Sequence, residues 1–211
     1  MNYILLVLTC VFFAIVVVVP LIRLKITTGA FGVVVRDNSS SVESIVRVAT
    51  SLMFLGLILL AISVSVIGLL ELRPFLTPER SWPIGAVLAL SGMFIIVVAQ
   101  AQMGASWRIG INDDPTSLCT QGLYHYVRHP IYSGVSLCLA GVVLVAPVVW
   151  SLVLVIPGFL LIALQARLEE AHMLDQHGDA FLVWASKTGR IIPGVGVLPN
   201  EREARVALGR A

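Results

Sequence analysis

Long runs of apolar residues alternate with short polar segments along the chain, and five of the runs are long enough to cross a membrane as helices. A membrane-spanning helix needs about 20 consecutive apolar residues. We predict such helices at residues 3–22, 46–70, 83–103, 131–147 and 150–166. The last two adjoin, because the run from Ile131 to Ala166 has no charged residue and only Pro147 near its middle suggests a turn. The pattern predicts an all-α integral membrane protein, a single domain over residues 1–211, whose last two spans form a tight helical hairpin.

The composition agrees with a membrane protein and argues against several functional classes. Hydrophobic residues make up 58% of the 211 residues and charged residues only 12%, against about 25% in soluble domains. The net charge is +2 and no basic tract is interleaved with aromatic residues, so nucleic-acid binding is not expected. The three cysteines lack C-x-x-C spacing, which predicts neither a disulfide framework nor a zinc knuckle.

The basic residues predict an orientation in the membrane. With five spans, every Lys and Arg except Arg73 and Arg80 falls on the same side as the C-terminus. Because loops rich in Lys and Arg stay in the cytoplasm, we expect the N-terminus outside and the C-terminus in the cytoplasm. The membrane would be the inner membrane of a prokaryotic cell or the endoplasmic reticulum of a eukaryotic one.

Two polar segments on the cytoplasmic side carry the residues that could take part in binding or catalysis. The segment Gln121–Gly134 holds two His, three Tyr and one Arg between apolar spans, and Arg167, Glu169 and Glu170 follow the last span. Polar groups at membrane depth are costly unless they have partners or a function. We therefore predict a cofactor site built from residues 106–134, as a cytoplasmic loop, and residues 165–193, which include a C-terminal helix.

Methyl transfer from S-adenosylmethionine is one chemistry that these residue types suit. A carboxylate of Glu169 or Glu170 could bind the amino group of this cofactor, and Arg128, His129 and loop amides could bind its carboxylate. Aromatic faces favour its sulfonium, and they could come from Tyr124, Tyr126 and Tyr132. Such a displacement needs mainly positioning and exclusion of water.

Other interpretations of the same residues stay open at this point. His125 and His129 have the i, i+4 spacing of metal ligands and could bind a metal with His172 or His177. The tyrosines could form an interfacial aromatic belt. Arg128 could be a topology anchor, and the two glutamates could lie on a solvated helix start.

The motifs resemble those of a known family. Gly122-Leu123-Tyr124 followed by Arg128-His129-Pro130, Tyr132 and Gly134 resembles the G-x-Y-x-x-x-R-H-P-x-Y-x-G signature of integral membrane methyltransferases. This family includes the isoprenylcysteine carboxyl methyltransferases and the phospholipid N-methyltransferases. About 35 residues later it has a Glu-Glu pair and then an Arg-x-x-Pro end, here similar to Glu169-Glu170 and Arg190–Pro193.

The resemblance implies roles for individual residues. It implies an S-adenosylmethionine site formed by Thr116, Ser117, Leu118, Cys119, Gly122, Tyr124, His129, Pro130, Ile131, Tyr132, Glu169 and Glu170. Glu169 would bind the amino group. In the carboxyl methyltransferases an Arg before the glutamate pair is implicated with the substrate carboxylate; Gln165 stands at that position here, with Arg167 two residues on. We expect Gln165, Arg167 and Arg190 to bind the acceptor, and Arg167 and Arg128 to be catalytic.

The predicted function is S-adenosylmethionine-dependent methyl transfer to a lipophilic acceptor at the membrane. Carboxyl O-methylation of the isoprenylcysteine type is our first expectation, and N-methylation of a phospholipid or another amine is the alternative. Two alternatives of other classes are an NADPH-dependent membrane reductase of the sterol type and a non-enzymatic membrane protein. The expected partners are the lipid bilayer and the acceptor, with no metal and no nucleic acid.

Overall fold

The described part of the protein consists of helices and their connections. The computed structural model describes residues 3–29, 41–64, 74–104 and 118–198. The helices are α1 (Ile4–Phe13), α2 (Val19–Thr28), α3 (Ser41–Ile62), α4 (Pro78–Met103), α5 (Pro130–Val145), α6 (Val149–His177) and α7 (Asp179–Ala185). A π-helical turn, Ala14–Val18, joins α1 to α2, and a 3₁₀ turn, Gly122–His125, precedes α5. No β-strand occurs in these four ranges.

Four helical stretches are long and apolar enough to cross a membrane, as expected for a multi-pass membrane protein. They are Ile4–Ile26, Ser41–Ile62, Pro78–Met103 and Val149–His177. Over the described residues, the helical architecture with membrane-spanning helices that the hydrophobic runs predict is thus confirmed. The fourth predicted span, 131–147, corresponds to α5, which is apolar but has only 16 residues.

The boundaries of the spans differ from those predicted. α3 begins at Ser41 and α4 at Pro78, both before the predicted starts, because Glu43 and Pro78 suit the first turn of a helix. Residues 65–70 of the predicted second span lie outside the described residues. The largest difference is in α6, which continues without a break past Ala166 to His177. No Gly or Pro lies between Ala166 and Gly178, so the acidic segment is part of the same helix.

A buried glutamine stabilises the π-helical turn. Pro20 has no backbone N–H, so the carbonyl of Val16, four residues earlier, lacks its usual α-helical donor. The side chain of Gln100 in α4 donates to this carbonyl at 2.9 Å, in a buried position. A backbone acceptor inside a membrane protein needs such a partner. This contact explains one polar residue in an otherwise apolar helix.

Glycines allow α4 and α5 to pack closely as antiparallel neighbours. Gly85 lies against Gly141, and Gly92 lies against Gly134. A β-carbon built at Gly85 would stand 2.7 Å from the Gly141 oxygen, which is too close for any side chain. Small residues permit such contact between membrane helices. The packing places the start of α5 beside the end of α4, where the polar residues collect.

The middle of the bundle contains an apolar crevice. It lies between α1, α3, α4 and α5 and is lined by hydrophobic side chains, among them Phe12, Phe54, Met93, Cys138 and Leu139. Thr9, the polar residue of its wall, donates its hydroxyl to the Leu5 carbonyl at 2.8 Å. The crevice is therefore suited to hydrocarbon and not to polar groups.

The segment after α7 folds back across the start of α5. We call residues 186–198 the C-terminal strap. Its carbonyl groups at Gly189 and Arg190 accept the backbone N–H groups of Arg128 (2.7 Å) and His129 (3.0 Å). Pro193 and Gly194 form its turn, in which Gly194 has φ 75° and the Val195 N–H donates to the Ile192 carbonyl at 3.0 Å. The strap thus covers the polar loop before α5.

Candidate functional site

Glu170 is a buried carboxylate held by two arginines. Its Oε1 accepts from Arg128 Nε at 2.7 Å, and its Oε2 lies 2.7 Å from Arg190 Nη2. Its side chain is 0% exposed. A buried carboxylate is stable only with charged partners of this kind. Glu170 therefore ties α6 to both the loop before α5 and the C-terminal strap.

Arg128 is enclosed by main-chain carbonyl groups as well as by Glu170. Its guanidinium donates to the carbonyl oxygens of Ala185 (3.1 Å), Thr188 and Gly196 (2.7 Å). The residue is 1% exposed. A guanidinium has five N–H donors in a fixed plane, and four hydrogen bonds to protein groups occupy most of them. Arg128 thus fixes the path of the strap.

Glu169 is the glutamate that remains accessible. Its Oε1 accepts from the Tyr132 hydroxyl at 2.5 Å and from Gln165 Nε2 at 3.2 Å. Its Oε2 lies 3.5 Å from His129 Nδ1. With 27% of its side chain exposed, the carboxylate is oriented by three neighbours yet can still be reached by a ligand.

His129 lies between the two glutamates. Its Nε2 is 3.4 Å from Glu170 Oε1, and its ring stacks on that of Tyr132 with 5.4 Å between the ring centres. The residue is 5% exposed. Burial by itself lowers the pKa of this imidazole, but the contacts with Glu169 and Glu170 outweigh it and raise the pKa above its ordinary value of 6.5. His129 therefore favours the protonated form.

Tyr124 places a polar atom without a partner beside the site. Its side chain is buried, and its hydroxyl has no hydrogen-bond partner among the described residues. Its carbonyl accepts from Trp184 Nε1 at 3.0 Å, which fixes the backbone. Burial raises the pKa of the phenol, and the neighbouring Cys119 and Glu169 side chains raise it further. A neutral hydroxyl in this position can bond a polar group of a ligand.

The polar loop is also held to the end of α4. Gln102 Oε1 accepts the backbone N–H of Leu123 at 2.9 Å. Gly122 has φ 62°, and a β-carbon there would collide with the Gln102 side chain. Gly122 is thus required for the close approach of the loop to α4. It has no side chain that could contact Glu169.

The structure brings together most of the predicted site residues. Arg128, His129, Tyr132, Gln165, Glu169, Glu170 and Arg190 form one connected cluster. Tyr124 borders it, while Leu118 packs on the apolar cluster of α7 and Cys119 lies beside Gln102. Pro130 is the buried first residue of α5, and Ile131 packs on the apolar core that contains Met93. Thr116 and Ser117 lie outside the described residues.

Arg167 does not join this cluster. It is exposed on α6, and two helical residues correspond to a rotation of about 200°. Its side chain therefore leaves α6 on the side opposite to Gln165 and Glu169. In the described part of the chain, Arg167 makes no contact with the cluster that would support the acceptor-binding role expected for it.

Several contributors to the site are absent from the sequence-based prediction. Ser133 donates to the Ile191 carbonyl of the strap at 2.5 Å, and Gln102 holds the loop. The carbonyl groups of Thr188 and Gly196 bind Arg128. The only signal for Gln102 was its polarity inside an apolar span. Main-chain acceptors leave no signal in the sequence, because every residue carries a carbonyl group.

The four described ranges contain no set of side chains arranged as metal ligands. No three His, Cys, Asp or Glu side chains are grouped there to hold an ion. His125 is exposed and packs edge-on against Tyr126, whereas His129 faces the two glutamates.

Fold and site together define a class: a multi-pass membrane protein with a buried, charged cluster at the ends of its helices. Residues 82–180 match the family model described as phospholipid methyltransferase. This match contains both motifs, Gly122–Gly134 and Glu169-Glu170, and its family is the one of integral membrane methyltransferases that those motifs resemble. No curated protein matches the chain.

Proposed function

We propose that the protein transfers a methyl group from S-adenosylmethionine to a lipophilic acceptor at the membrane. The observation that carries this proposal is the accessibility and orientation of the Glu169 carboxylate. It is a partly exposed carboxylate, oriented by Tyr132, Gln165 and His129. It lies within the residues that match a methyltransferase family.

The residues present fit the cofactor. Glu169 would bind its amino group, the unpartnered Tyr124 hydroxyl would bond another of its polar groups, and the Tyr132 ring offers an aromatic face. When bound, S-adenosylmethionine supplies an activated methyl group. The contribution of the chain is to hold and orient both reactants and to exclude water, which suffices for an in-line displacement.

We assign Arg128 and Arg190 a positioning role. Both are bound to Glu170, and Arg128 is enclosed by the strap. They hold α6 and the strap so that Glu169 faces the loop. We place Arg167 outside the reacting centre, since it leaves α6 on the other side.

The apolar crevice supports a lipophilic acceptor. It runs beside α5, whose first turn carries Tyr132, and its lining includes Val135 one turn further on. The hydrocarbon chain of an acceptor could therefore lie between the helices while its reactive group meets the cofactor. The expectation drawn from the sequence, an isoprenylcysteine carboxylate, remains one candidate for that group.

An amine acceptor, such as an aminophospholipid, is the second candidate, and the charges of the site favour it. A carboxylate acceptor would need a cation that is free to bind it. Among the described residues, the two arginines of the cluster are already engaged by Glu170. An amine instead suits a site with carboxylates, although it must lose a proton before the transfer.

We further propose five membrane crossings with the site in the cytoplasm. α5 is about 24 Å long, and its glycines follow those of α4 in antiparallel order. Three residues, Ala146–Val148, connect it to α6, which supports a hairpin. The orientation rests on the basic residues.

The test is methyl transfer from labelled S-adenosylmethionine by the purified protein to prenylcysteines, aminophospholipids, and small lipophilic acids and thiols. We expect label in one lipophilic class, and the class decides between the two candidates. Calorimetry can also measure the binding of S-adenosylhomocysteine, and this measurement does not require the acceptor to be known. Binding of NADPH, with no binding of S-adenosylhomocysteine, would overturn the methyltransferase proposal in favour of a reductase.

A further inference from the structure

His129 is the one histidine of the cluster, and its surroundings are unusual for a residue of a binding site. Both ring nitrogens face carboxylates: Nδ1 lies 3.5 Å from Glu169 and Nε2 lies 3.4 Å from Glu170. These distances allow ion pairing but are long for hydrogen bonds, and Nε2 has no hydrogen-bond partner among the described residues. The ring is thus placed by charge and by stacking on Tyr132.

The charges around this histidine come from every element that packs against it. α6 contributes Glu169 and Glu170, the loop contributes Arg128, and the strap contributes Arg190. The neutral hydroxyl groups of Tyr124 and Tyr132 complete the surroundings. Two carboxylates and two guanidiniums balance when the imidazole is neutral. A proton on His129 therefore leaves the cluster with one excess positive charge.

Arg128 and Arg190 do not form ion pairs equally with the two glutamates. Both contact Glu170, whereas Glu169 has only neutral donors and His129. A proton on His129 is thus the charge that compensates Glu169. An amino group bound at Glu169 would bring a second positive charge within a few ångströms of the imidazole, in a buried setting where like charges repel strongly.

We propose that His129 is a positioning residue that holds Glu169 with a proton until the amino group of the cofactor replaces it, so that cofactor binding releases one proton. The proton leaves the imidazole for solvent, and the ammonium group of the cofactor takes over the charge compensation of Glu169. This inference rests on the proposed function, because it takes the cofactor amino group to bind at Glu169.

The direction of the pH dependence follows from the raised pKa of His129. At about pH 6.5, below the pKa in the free protein, the imidazole is protonated and must lose its proton on binding. Affinity then increases as pH rises toward that pKa, by up to about tenfold per unit. Above it no proton is released. The amino group of the ligand stays protonated at about pH 6.5, since α-amino groups titrate near 7.7–8.0.

The experiment is calorimetric titration of the full chain in detergent with S-adenosylhomocysteine, at about pH 6.5. Buffers of low and high ionisation enthalpy that both titrate near this pH, phosphate and imidazole, give the number of protons released. We expect more than about half a proton, and at most one, per bound molecule for the natural protein. His129→Asn should release none, and its Kd should no longer vary with pH in this range. His125→Asn is the matched control: this histidine is exposed, and its replacement should leave the release unchanged.

Each outcome separates this inference from the proposed function. Failure of S-adenosylhomocysteine to bind at any pH would contradict the proposed function itself. Binding without proton release in the natural protein would overturn only the role of His129, as would release that persists in His129→Asn. If His129→Asn does not fold, the proton count and the pH dependence of Kd in the natural protein still decide the matter.

Discussion

Two adjacent glutamates show how strongly neighbouring residues of one helix can differ. Consecutive side chains leave an α-helix about 100° apart. Glu170 accordingly points into the protein, where its side chain is 0% exposed and bound by two arginines, whereas Glu169 keeps 27% of its side chain exposed. The buried residue serves structure, and the accessible one is available to a ligand.

Replacing Glu169 by Gln should weaken cofactor binding without unfolding the protein. The substitution keeps the size of the side chain but removes the charge that would bind the amino group. Loss of a charge-assisted hydrogen bond corresponds to a rise in Kd of about 10- to 100-fold, measured with S-adenosylhomocysteine by calorimetry. Glu79→Gln, at an exposed glutamate of α4, is the matched control. An unchanged Kd would place the amino-group site elsewhere.

Replacing Glu170 by Gln should instead destabilise the protein. Arg128 and Arg190 would lose their common counter-charge, and breaking a buried ion pair costs about 3–5 kcal/mol. The midpoint of thermal unfolding in detergent should fall well below that of Glu169→Gln. If the two variants unfold at the same temperature, the structural role of Glu170 is wrong.

The element that organises the site is the end of α4. Its two glutamines serve separate purposes: Gln100 satisfies the Val16 carbonyl that Pro20 leaves without a donor, and Gln102 holds the loop at Leu123. The glycines of the same helix admit α5 at close range. One helix thus sets the position of α1, of α5 and of the loop between α4 and α5.

Gln100→Leu should lower stability because it leaves the Val16 carbonyl without its side-chain donor. An unsatisfied buried acceptor costs about 1–3 kcal/mol, which is measurable as a lower midpoint of thermal unfolding. The same substitution should cost less in a Pro20→Ala background, where residue 20 regains an N–H group. Equal losses in both backgrounds would show that the proline does not create the need for Gln100.

At the scale of the whole molecule, the charged cluster of the described residues lies at one end of the helical bundle. The ion pairs join the start of α5, the end of α6 and the strap, whereas the crevice between the helices is apolar. This separation agrees with the proposed reaction between a water-soluble cofactor and an acceptor dissolved in the membrane.

The proposed orientation predicts which side of the membrane each end faces. Lys187 lies at the start of the strap and Glu79 at the opposite end of the bundle, at the start of α4. After replacement of Cys10, Cys119 and Cys138 by Ser, we expect a membrane-impermeant maleimide to label Glu79→Cys in intact cells. Lys187→Cys should react only after the cells are opened. The reverse pattern would invert the orientation.

The sequence by itself determined the helical membrane class, the approximate positions of the apolar helices and the resemblance to a methyltransferase family. These properties are local: a run of about 20 apolar residues specifies a membrane helix wherever it occurs. The motifs at Gly122–Gly134 and Glu169-Glu170 lie within the matched residues 82–180. The end of α6 was misplaced at Ala166, because hydropathy falls there while helix propensity continues to His177.

Only the tertiary structure decided which charged residues are engaged and which remain accessible. Arg128 meets Glu170 across 42 positions of sequence and Gly196 across 68, and no local pattern records such pairs. The charge of a buried group depends on what surrounds it in space. Glu169, Glu170 and His129 thus acquire different properties from neighbours that are distant along the chain.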